Sequence, residues 1–386
     1  MIGCRNSGAS NRLSFALLDI HGGGSLKTGQ QIAALFILGT LMALVGPLAQ
    51  AEPYFAIMTN QTCQACHTNQ TGGGKRTVFG TAYAQTTLSV RPADKFWDGK
   101  ISDFLAIGGN LRASATATDT PNQNNEFEFD LDETLLFIEV PLLANRLTVY
   151  LDQQFAPSTN NREAFALLRF PEQSAYIKAG KFFLPHGWRL EDDTEFVRQA
   201  TGLNMDNPDN GVEAGIELGK ASVRFAITNG TAGGGEVDTG KQFSLQSTFV
   251  LNGWQVGASA NFNDADNAER TVLGGFGGLK TGPVSWLGEV DYIDDDALGP
   301  TGRKQWAGFV EANWWIRTGH NLKVSYGHFD PDDDLDEDEQ NRYSLVYEYF
   351  PIAFTQLRIG IRSNDGIPQN NVQNADTFFV QLDGYF

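Results

Sequence analysis

From Asp103 to Phe386 the chain consists of segments of about ten residues in which apolar and polar side chains alternate. In the last segment Phe378, Val380 and Leu382 alternate with Phe379, Gln381 and Asp383. Because successive side chains of a β-strand point to opposite faces, this pattern predicts strands with one apolar and one polar face. The predicted polar face carries Asp152, Arg224, Gln255, Asn261, Glu289, Asp291, Glu311, Arg317, Arg358 and Arg362.

The links between these segments are alternately short and long. The short links are Ala144-Asn145, Pro171-Glu172-Gln173, Gly219-Lys220, Asn252-Gly253, Thr281-Gly282, Thr318-Gly319-His320 and Pro351. The long links lie at 118–125, 156–161, 186–210, 229–240, 263–267, 294–303, 330–341 and 364–374. A soluble sandwich gives no reason for this alternation, whereas a membrane barrel has short turns at one end and long loops at the other. We therefore predict an all-β chain, with a transmembrane antiparallel β-barrel of about 16 strands over residues 101–386.

Aromatic residues near the predicted strand ends support a barrel that crosses a membrane. Trp254, Trp286 and Trp314 occupy such positions, where interfacial girdles form. The terminal Phe386, at the end of an alternating strand, is similar to the C-terminal signal that the bacterial outer-membrane assembly machinery recognises.

The N-terminal region predicts export. Lys27 precedes the apolar run 32–48, which ends in Ala49-Gln50-Ala51, so we interpret residues 1–51 as a leader and signal peptide cleaved after Ala51. The alternative is a transmembrane anchor, because the run approaches the ~20 apolar residues that a spanning helix needs. The long leader also leaves open a start codon further downstream. The expected location is the bacterial outer membrane.

The chain is strongly acidic, with a formal charge of −18. Nucleic-acid binding requires a basic face that neutralises phosphates, so nucleic acid is excluded as a partner class. Cations and cationic surfaces are the expected partners.

The motif Cys63-Gln64-Ala65-Cys66-His67 contains the only cysteines that follow the predicted cleavage site. Two thiols at this spacing can add to the two vinyl groups of one haem, and the adjacent histidine then ligates the iron. A thioredoxin-like pair would need a βαβ context, and zinc would need further close ligands. We therefore predict one covalent haem c in a small module at residues 52–100, with His67 as the proximal iron ligand.

Several residues around this motif carry a family resemblance. Pro53-Tyr54-Phe55-Ala56, the Cys63–His67 motif, Phe79-Gly80 and Tyr83, followed directly by a barrel, resemble the fused monohaem cytochrome-porins of the outer membrane, best known as iron(II) oxidases. The chain departs from that family at 71–76, where those oxidases usually carry a Pro-x-Leu segment, and this leaves the electron donor open. The segment 180–198 is similar to part of the phosphate-selective porins.

Other residues are candidates for binding metals. The distal haem ligand is open among Met58, His186 and Met205, with His320 in a predicted turn as a further option. The acidic run 330–339 predicts a weak divalent-cation site through Asp332, Asp334 and Asp336, close to His328. The alternative is a solvated loop that is bridged to surface lipid through cations.

The resemblance implies electron transfer between an extracellular donor, with iron(II) as the first candidate, and a periplasmic carrier such as a soluble c-type cytochrome. This would make the chain an Fe(II):cytochrome c oxidoreductase. The alternative is a diffusion porin for ions or anions whose tethered cytochrome module has a sensing or structural role. A third hypothesis is a conduit for manganese, sulfur species or a mineral. Outer-membrane lipid and a homotrimer are the other expected partners.

Overall fold

The computed structural model describes residues 52–143, 146–203, 205–236, 238–265 and 268–386. The predicted leader, signal peptide and cleavage site lie outside the described residues. The described helices are α1 Tyr54–Thr59, α2 Cys63–Cys66, α3 Val78–Tyr83 and α4 Phe196–Thr201, with a π-helical turn at Ala84–Leu88 and 3-10 turns at Pro171–Gln173 and Asn371–Asn374. Within the described ranges, none of these helices has the length and hydropathy to span a membrane.

Most of the described chain is extended. The strands are β1 Lys100–Ser102, β2 Leu105–Asp119, β3 Glu126–Leu143, β4 Leu147–Ala156, β5 Asn160–Phe170, β6 Ala175–Phe182, β7 Asp209–Leu218, β8 Ala221–Thr228, β9 Gln242–Leu251, β10 Trp254–Ala265, β11 Ala268–Thr281, β12 Val284–Asp295, β13 Arg303–Arg317, β14 His320–Asp330, β15 Gln340–Tyr349, β16 Thr355–Asp365 and β17 Asp376–Tyr385.

The sheet closes on itself. From β2 to β17 each strand pairs antiparallel with the next, and β17 then pairs with β2 from Asp376↔Asp119 to Tyr385↔Asn110. The backbone groups of Gly109 and Phe386 exchange hydrogen bonds just beyond this register. The short β1 pairs only with β2. The predicted antiparallel barrel of 16 strands is therefore confirmed.

The predicted two faces of the strands are confirmed, with one exception. On β12 the apolar Val290 is 49% exposed, while its neighbours Glu289 and Asp291 are 5% and 0% exposed. Of the other polar residues predicted to face inward, Asp152, Arg224, Gln255, Asn261, Glu311 and Arg358 are also buried. Arg317 was predicted wrongly: it is exposed at the end of β13, where the register with β14 shifts after Trp315. Apolar side chains thus cover the outer wall, and polar side chains line the lumen.

Three exposed tryptophans mark one end of the barrel. Trp254 is opposite Leu279, which is opposite Trp286, and Trp314 is opposite Val284 at the same end. All three rings are exposed on the outer wall, beside short turns. This is the arrangement of an interfacial girdle.

Two predicted long loops are in fact short. Only residues 157–159 separate β4 from β5, and only 266–267 separate β10 from β11. The polar residues that resembled a loop are paired strand residues, as in Asn263↔Arg270 and Asp264↔Glu269. Strand pairing therefore continues past the apolar band at these two hairpins. The links do not alternate strictly between short and long.

The segment before β1 lies inside the barrel. The Glu52 carboxylate pairs with Arg358 of β16 and lies 3.1 Å from Lys323 Nζ of β14. On the far side of the lumen, the Asn69 amide donates to Glu163 of β5 at 2.8 and 2.9 Å. These partners are inward-facing side chains of distant strands, so the segment from Glu52 to Lys75 lies in the lumen.

We predict that Lys323→Met destabilises the fold by about 3–5 kcal/mol, because breaking a buried ion pair leaves uncompensated charge. Lys323 Nζ lies 3.1, 3.3 and 3.7 Å from Glu52, Glu348 and Glu311, and all four side chains are buried. Urea unfolding followed by tryptophan fluorescence measures the change.

The matched control is Arg303→Met. Arg303 pairs with Asp332 at 3.4 Å on the exposed surface, so its loss is expected to cost about 0–1 kcal/mol. An equal loss of unfolding free energy in the two variants would contradict the buried ion-pair network in which Lys323 holds Glu52 in the lumen.

Candidate functional site

Cys63 and Cys66 form a single helical turn, α2, that ends directly at His67. The His67 N–H donates to the Cys63 carbonyl at 3.0 Å, and the two thiols are half-buried and not joined in a disulfide. The spacing therefore keeps two thiols and one imidazole together on one short turn. This is the geometry that covalent attachment of a haem to the Cys-x-x-Cys-His motif requires.

The His67 ring is held in the form that ligates a metal. Its Nδ1 lies 3.4 Å from the Gly74 carbonyl, which favours a proton on Nδ1 and leaves Nε2 available. Burial, with a further contribution from the Arg76 guanidinium, lowers the pKa of His67 to about 3. The imidazole is therefore neutral at physiological pH.

The thiols are poorly suited to redox exchange. Burial raises the pKa of Cys63, and burial together with the neighbouring Cys63 raises the pKa of Cys66 to about 11. Exchange requires a thiolate, and reactive cysteines have a lowered pKa. The geometry and the protonation state together disfavour a thioredoxin-like function.

The glycine-rich segment that follows the motif docks on the barrel wall. Gly72, Gly73 and Gly74 all have positive φ, and a Cβ on Gly74 would lie 1.9 Å from the Tyr150 hydroxyl oxygen. The same hydroxyl accepts the Lys75 N–H at 2.9 Å. Only glycine allows this close approach. The segment that departs from the cytochrome-porin pattern is thus the surface by which the module contacts β4.

Helix α3 packs on the motif through its first turn. The Thr77 N–H donates to the Cys66 carbonyl at 2.9 Å, and the Thr77 hydroxyl donates to the Ala65 carbonyl at 2.7 Å. A Cβ on Gly80 would lie 2.2 Å from the Cys66 carbonyl oxygen. A side chain at Gly80 would therefore push α3 away from the motif.

A cavity adjoins the motif inside the barrel. Its volume is about 70 Å³, and it is partly open to solvent. Its lining combines the motif with apolar side chains, Phe55, Tyr83 and Leu88, and with two buried guanidinium groups, Arg76 and Arg189. A haem has apolar faces and two carboxylate groups, so this set of residues fits it chemically.

The three distal-ligand candidates are placed differently. Neither Met58 nor His186 lines the cavity, and His186 Nε2 is instead 2.8 Å from Asp291 Oδ1. Met205 is buried, and its methyl carbon lies 3.5 Å from the position of a Cβ on Gly73, which lines the cavity. His320 Nδ1 lies 2.5 Å from the Tyr347 hydroxyl at a strand end. Met205 therefore lies against the glycine loop that follows the motif.

The predicted acidic site does not assemble in this structure. Asp334 and Asp336 are exposed in the loop after β14, and Asp332 pairs with Arg303. Within the described ranges, one group of three potential ligands does converge: His186, Glu289 and Asp291, with ligand atoms within 4.8 Å of one another. Sequence reasoning placed Glu289 and Asp291 on the lumen face but did not connect them with His186. The sequence signal for this cluster is the pair of acids Glu289 and Asp291, which a strand places on the same face because they are two positions apart.

Solved structures with a similar fold are outer-membrane proteins. OmpT of Vibrio cholerae matches with a TM-score of 0.57 and 12% identity, over 75% of this chain and 100% of that one. OmpF of Salmonella typhi, in complex with daunomycin, has a TM-score of 0.56 and 12% identity, over 73% and 97%. An anion-selective porin from Comamonas acidovorans has a TM-score of 0.53 and 10% identity, over 73% and 99%.

No protein-family model matches this chain, and no curated protein matches it. At the identities given above, the solved structures show the fold alone. The chain therefore has the fold of the outer-membrane porins, and its lumen holds a Cys-x-x-Cys-His turn.

We predict that Gly80→Ala destabilises the module by about 1–3 kcal/mol, as overpacking does, and exposes the thiols. Iodoacetamide labelling of the refolded, haem-free chain, read by peptide mass spectrometry at Cys63 and Cys66, measures the exposure. Gly275→Ala is the matched control, because a Cβ there meets no atom within 4 Å. Unchanged labelling of Gly80→Ala would contradict the contact between α3 and Cys66.

Proposed function

We propose that this chain is an outer-membrane cytochrome-porin that transfers electrons through one haem c. The observation that carries the proposal is the Cys63–His67 turn facing a cavity inside a closed barrel. Cys63 and Cys66 would hold the haem covalently, and His67 would ligate its iron. Localisation in the outer membrane follows from the barrel with its apolar outer wall.

The haem, when bound, supplies reversible one-electron chemistry at its iron. The residues of this chain supply its position and surroundings. Phe55, Tyr83 and Leu88 would exclude water from its faces, and Arg76 and Arg189 would pair with its acid groups. The Gly74 carbonyl orients His67 through Nδ1. An apolar enclosure and a fixed ligand are the means by which a protein sets the potential of an iron centre.

The position of the module supports electron transfer rather than free diffusion. Residues 52–99 contact both sides of the lumen, through Asn69 to β5 and through Tyr54, whose hydroxyl donates to Glu348 of β15 at 2.8 Å. We expect a barrel with this segment in its lumen to offer less room for solutes than an empty one. A haem held at Cys63 and Cys66 would lie inside the barrel, whose apolar band is ~25 Å tall and would otherwise separate donor and carrier.

Iron(II) is the donor that we propose, with a periplasmic c-type cytochrome as the carrier. The formal charge of −18 supports a cationic donor and a basic carrier, because complementary charge raises the local concentration and the association rate. On this proposal the chain is an Fe(II):cytochrome c oxidoreductase.

The fold itself favours a second candidate, a diffusion porin whose module is structural. A trimer form of OmpT has been solved, and we extend a homotrimer to this chain under either candidate. Planar-bilayer recording separates the two candidates. We expect the full chain to conduct far less than OmpF. Conductance comparable to OmpF would favour the diffusion porin.

We predict that Cys63→Ser combined with Cys66→Ser abolishes covalent haem in chain exported to the outer membrane of a host with c-type haem maturation. The reason is that both thioether positions are lost. Haem-stained denaturing gels and the Soret absorbance of the purified barrel measure the change.

Met58→Leu is the control and should keep full staining, because Met58 does not line the cavity. Stopped-flow mixing of the haem-loaded chain with iron(II) then tests the donor. A haem that stays oxidised at both acidic and neutral pH would exclude iron(II), and absence of haem in the unsubstituted chain would exclude the cytochrome.

A further inference from the structure

We propose that His186, Glu289 and Asp291 form a binding site for a first-row divalent transition-metal cation in the wall of the lumen. His186 belongs to the long segment between β6 and β7, whereas Glu289 and Asp291 are alternate inward residues of β12. All three side chains are at least nine-tenths buried. The proposal does not depend on the haem.

With both carboxylates ionised, the cluster carries a net negative charge. In the described part of the chain, no lysine or arginine lies within ion-pair distance of Glu289 or Asp291, and the ion-pair partner of Asp291 is His186, at 2.8 Å. Two neighbouring carboxylates in a buried site repel each other. A bound divalent cation would neutralise both carboxylates and keep them ionised.

Buried polar atoms of the cluster are also left without partners. Glu289 Oε1, Asp291 Oδ2 and His186 Nδ1 are buried and accept or donate no hydrogen bond in the described structure. An unsatisfied buried polar atom costs about 1–3 kcal/mol. Coordination of a cation by the two carboxylates would compensate for their missing hydrogen bonds.

The spacing of the donor atoms suits a metal ion. Donors at ~2.1 Å from one ion lie ~3 Å apart when at right angles and ~4.2 Å apart when opposite. His186 Nε2 and Asp291 Oδ1 are 2.8 Å apart, and the whole set lies within 4.8 Å, so small side-chain movements bring the three onto one ion. One imidazole with two carboxylates suits Mn²⁺, Fe²⁺, Co²⁺ or Zn²⁺ better than Ca²⁺ or Mg²⁺.

The surrounding backbone holds the cluster in place. The Trp188 N–H donates to Glu289 Oε2 at 2.7 Å, and the Gly187 N–H donates to the Ser259 hydroxyl at 2.9 Å. Two glycines leave the space open: a Cβ on Gly187 would lie 1.7 Å from Glu289 Oε1, and one on Gly274 would lie 2.2 Å from Asp291 Oδ1. Because Gly187 and Gly274 have no side chains, the segment between β6 and β7 can approach β12 closely enough for His186 to reach the two acids.

The test is a titration of the full chain with Mn(II) chloride, in which the electron-paramagnetic signal of free Mn(II) counts the bound ions. We expect one tight site that Glu289→Gln, or His186→Ala, weakens by more than about 100-fold, since loss of an outer-shell partner alone costs roughly 10–100-fold. His328→Ala, beside the acidic loop, is the control and should retain the tight site. Equal tight binding in the unsubstituted chain and Glu289→Gln would overturn the proposal.

Thermal unfolding gives a second readout if a variant folds poorly. Mn(II) should raise the Tm of the unsubstituted chain and a chelator should lower it, whereas Glu289→Gln should respond to neither. Without metal, Glu289→Gln should be at least as stable as the unsubstituted chain, because it removes one of two adjacent buried acids. A Tm of the unsubstituted chain that is unaffected by both Mn(II) and chelator would show a proton-sharing acid pair instead, and would overturn the metal site.

Discussion

The pairing of β17 with β2 is the constraint on which the rest of the structure depends. Hydrocarbon offers no partners for backbone N–H and C=O groups, so a sheet can span it only when it has no edge. Closure over the register from Asp376↔Asp119 to Tyr385↔Asn110 meets this requirement. Once the sheet is closed, every second side chain points into the lumen, and the composition of that face decides what the barrel contains.

That inner face carries charged side chains that pair with one another. Lys178 Nζ lies 3.0 Å from Glu213 and 3.3 Å from the Asn69 side-chain oxygen, and Lys323 links three acids that include Glu52. Such groups are costly to bury unless they are paired. The lumen segment supplies part of the pairing, so the barrel and its contents stabilise each other. The His186 cluster is the contrasting case, because among the described residues no lysine or arginine lies within ion-pair distance of its acids, and only His186 lies beside Asp291.

Much of the fold could be predicted from sequence because strand alternation is local. A period of two residues identifies the inward position of Glu289 without any knowledge of its neighbours, and the short turns identify the hairpins. The errors have local physical causes too: the bulge after Trp315 changes the exposure of Arg317, and paired polar residues such as Asn263 extend a strand into an expected loop. The Cys63–His67 motif was evident from its spacing alone. The contacts of Asn69 with Glu163 and of His186 with Asp291 join residues about a hundred positions apart, and no local pattern encodes them.

The lumen segment has a consequence for the order of assembly. The segment from Glu52 to Lys75 precedes β2 in the chain, yet it lies within the ring that the pairing of β17 with β2 completes. Closure by a C-terminal strand thus encloses an N-terminal part of the described chain. Docking of the segment and closure of the barrel are therefore coupled steps of folding.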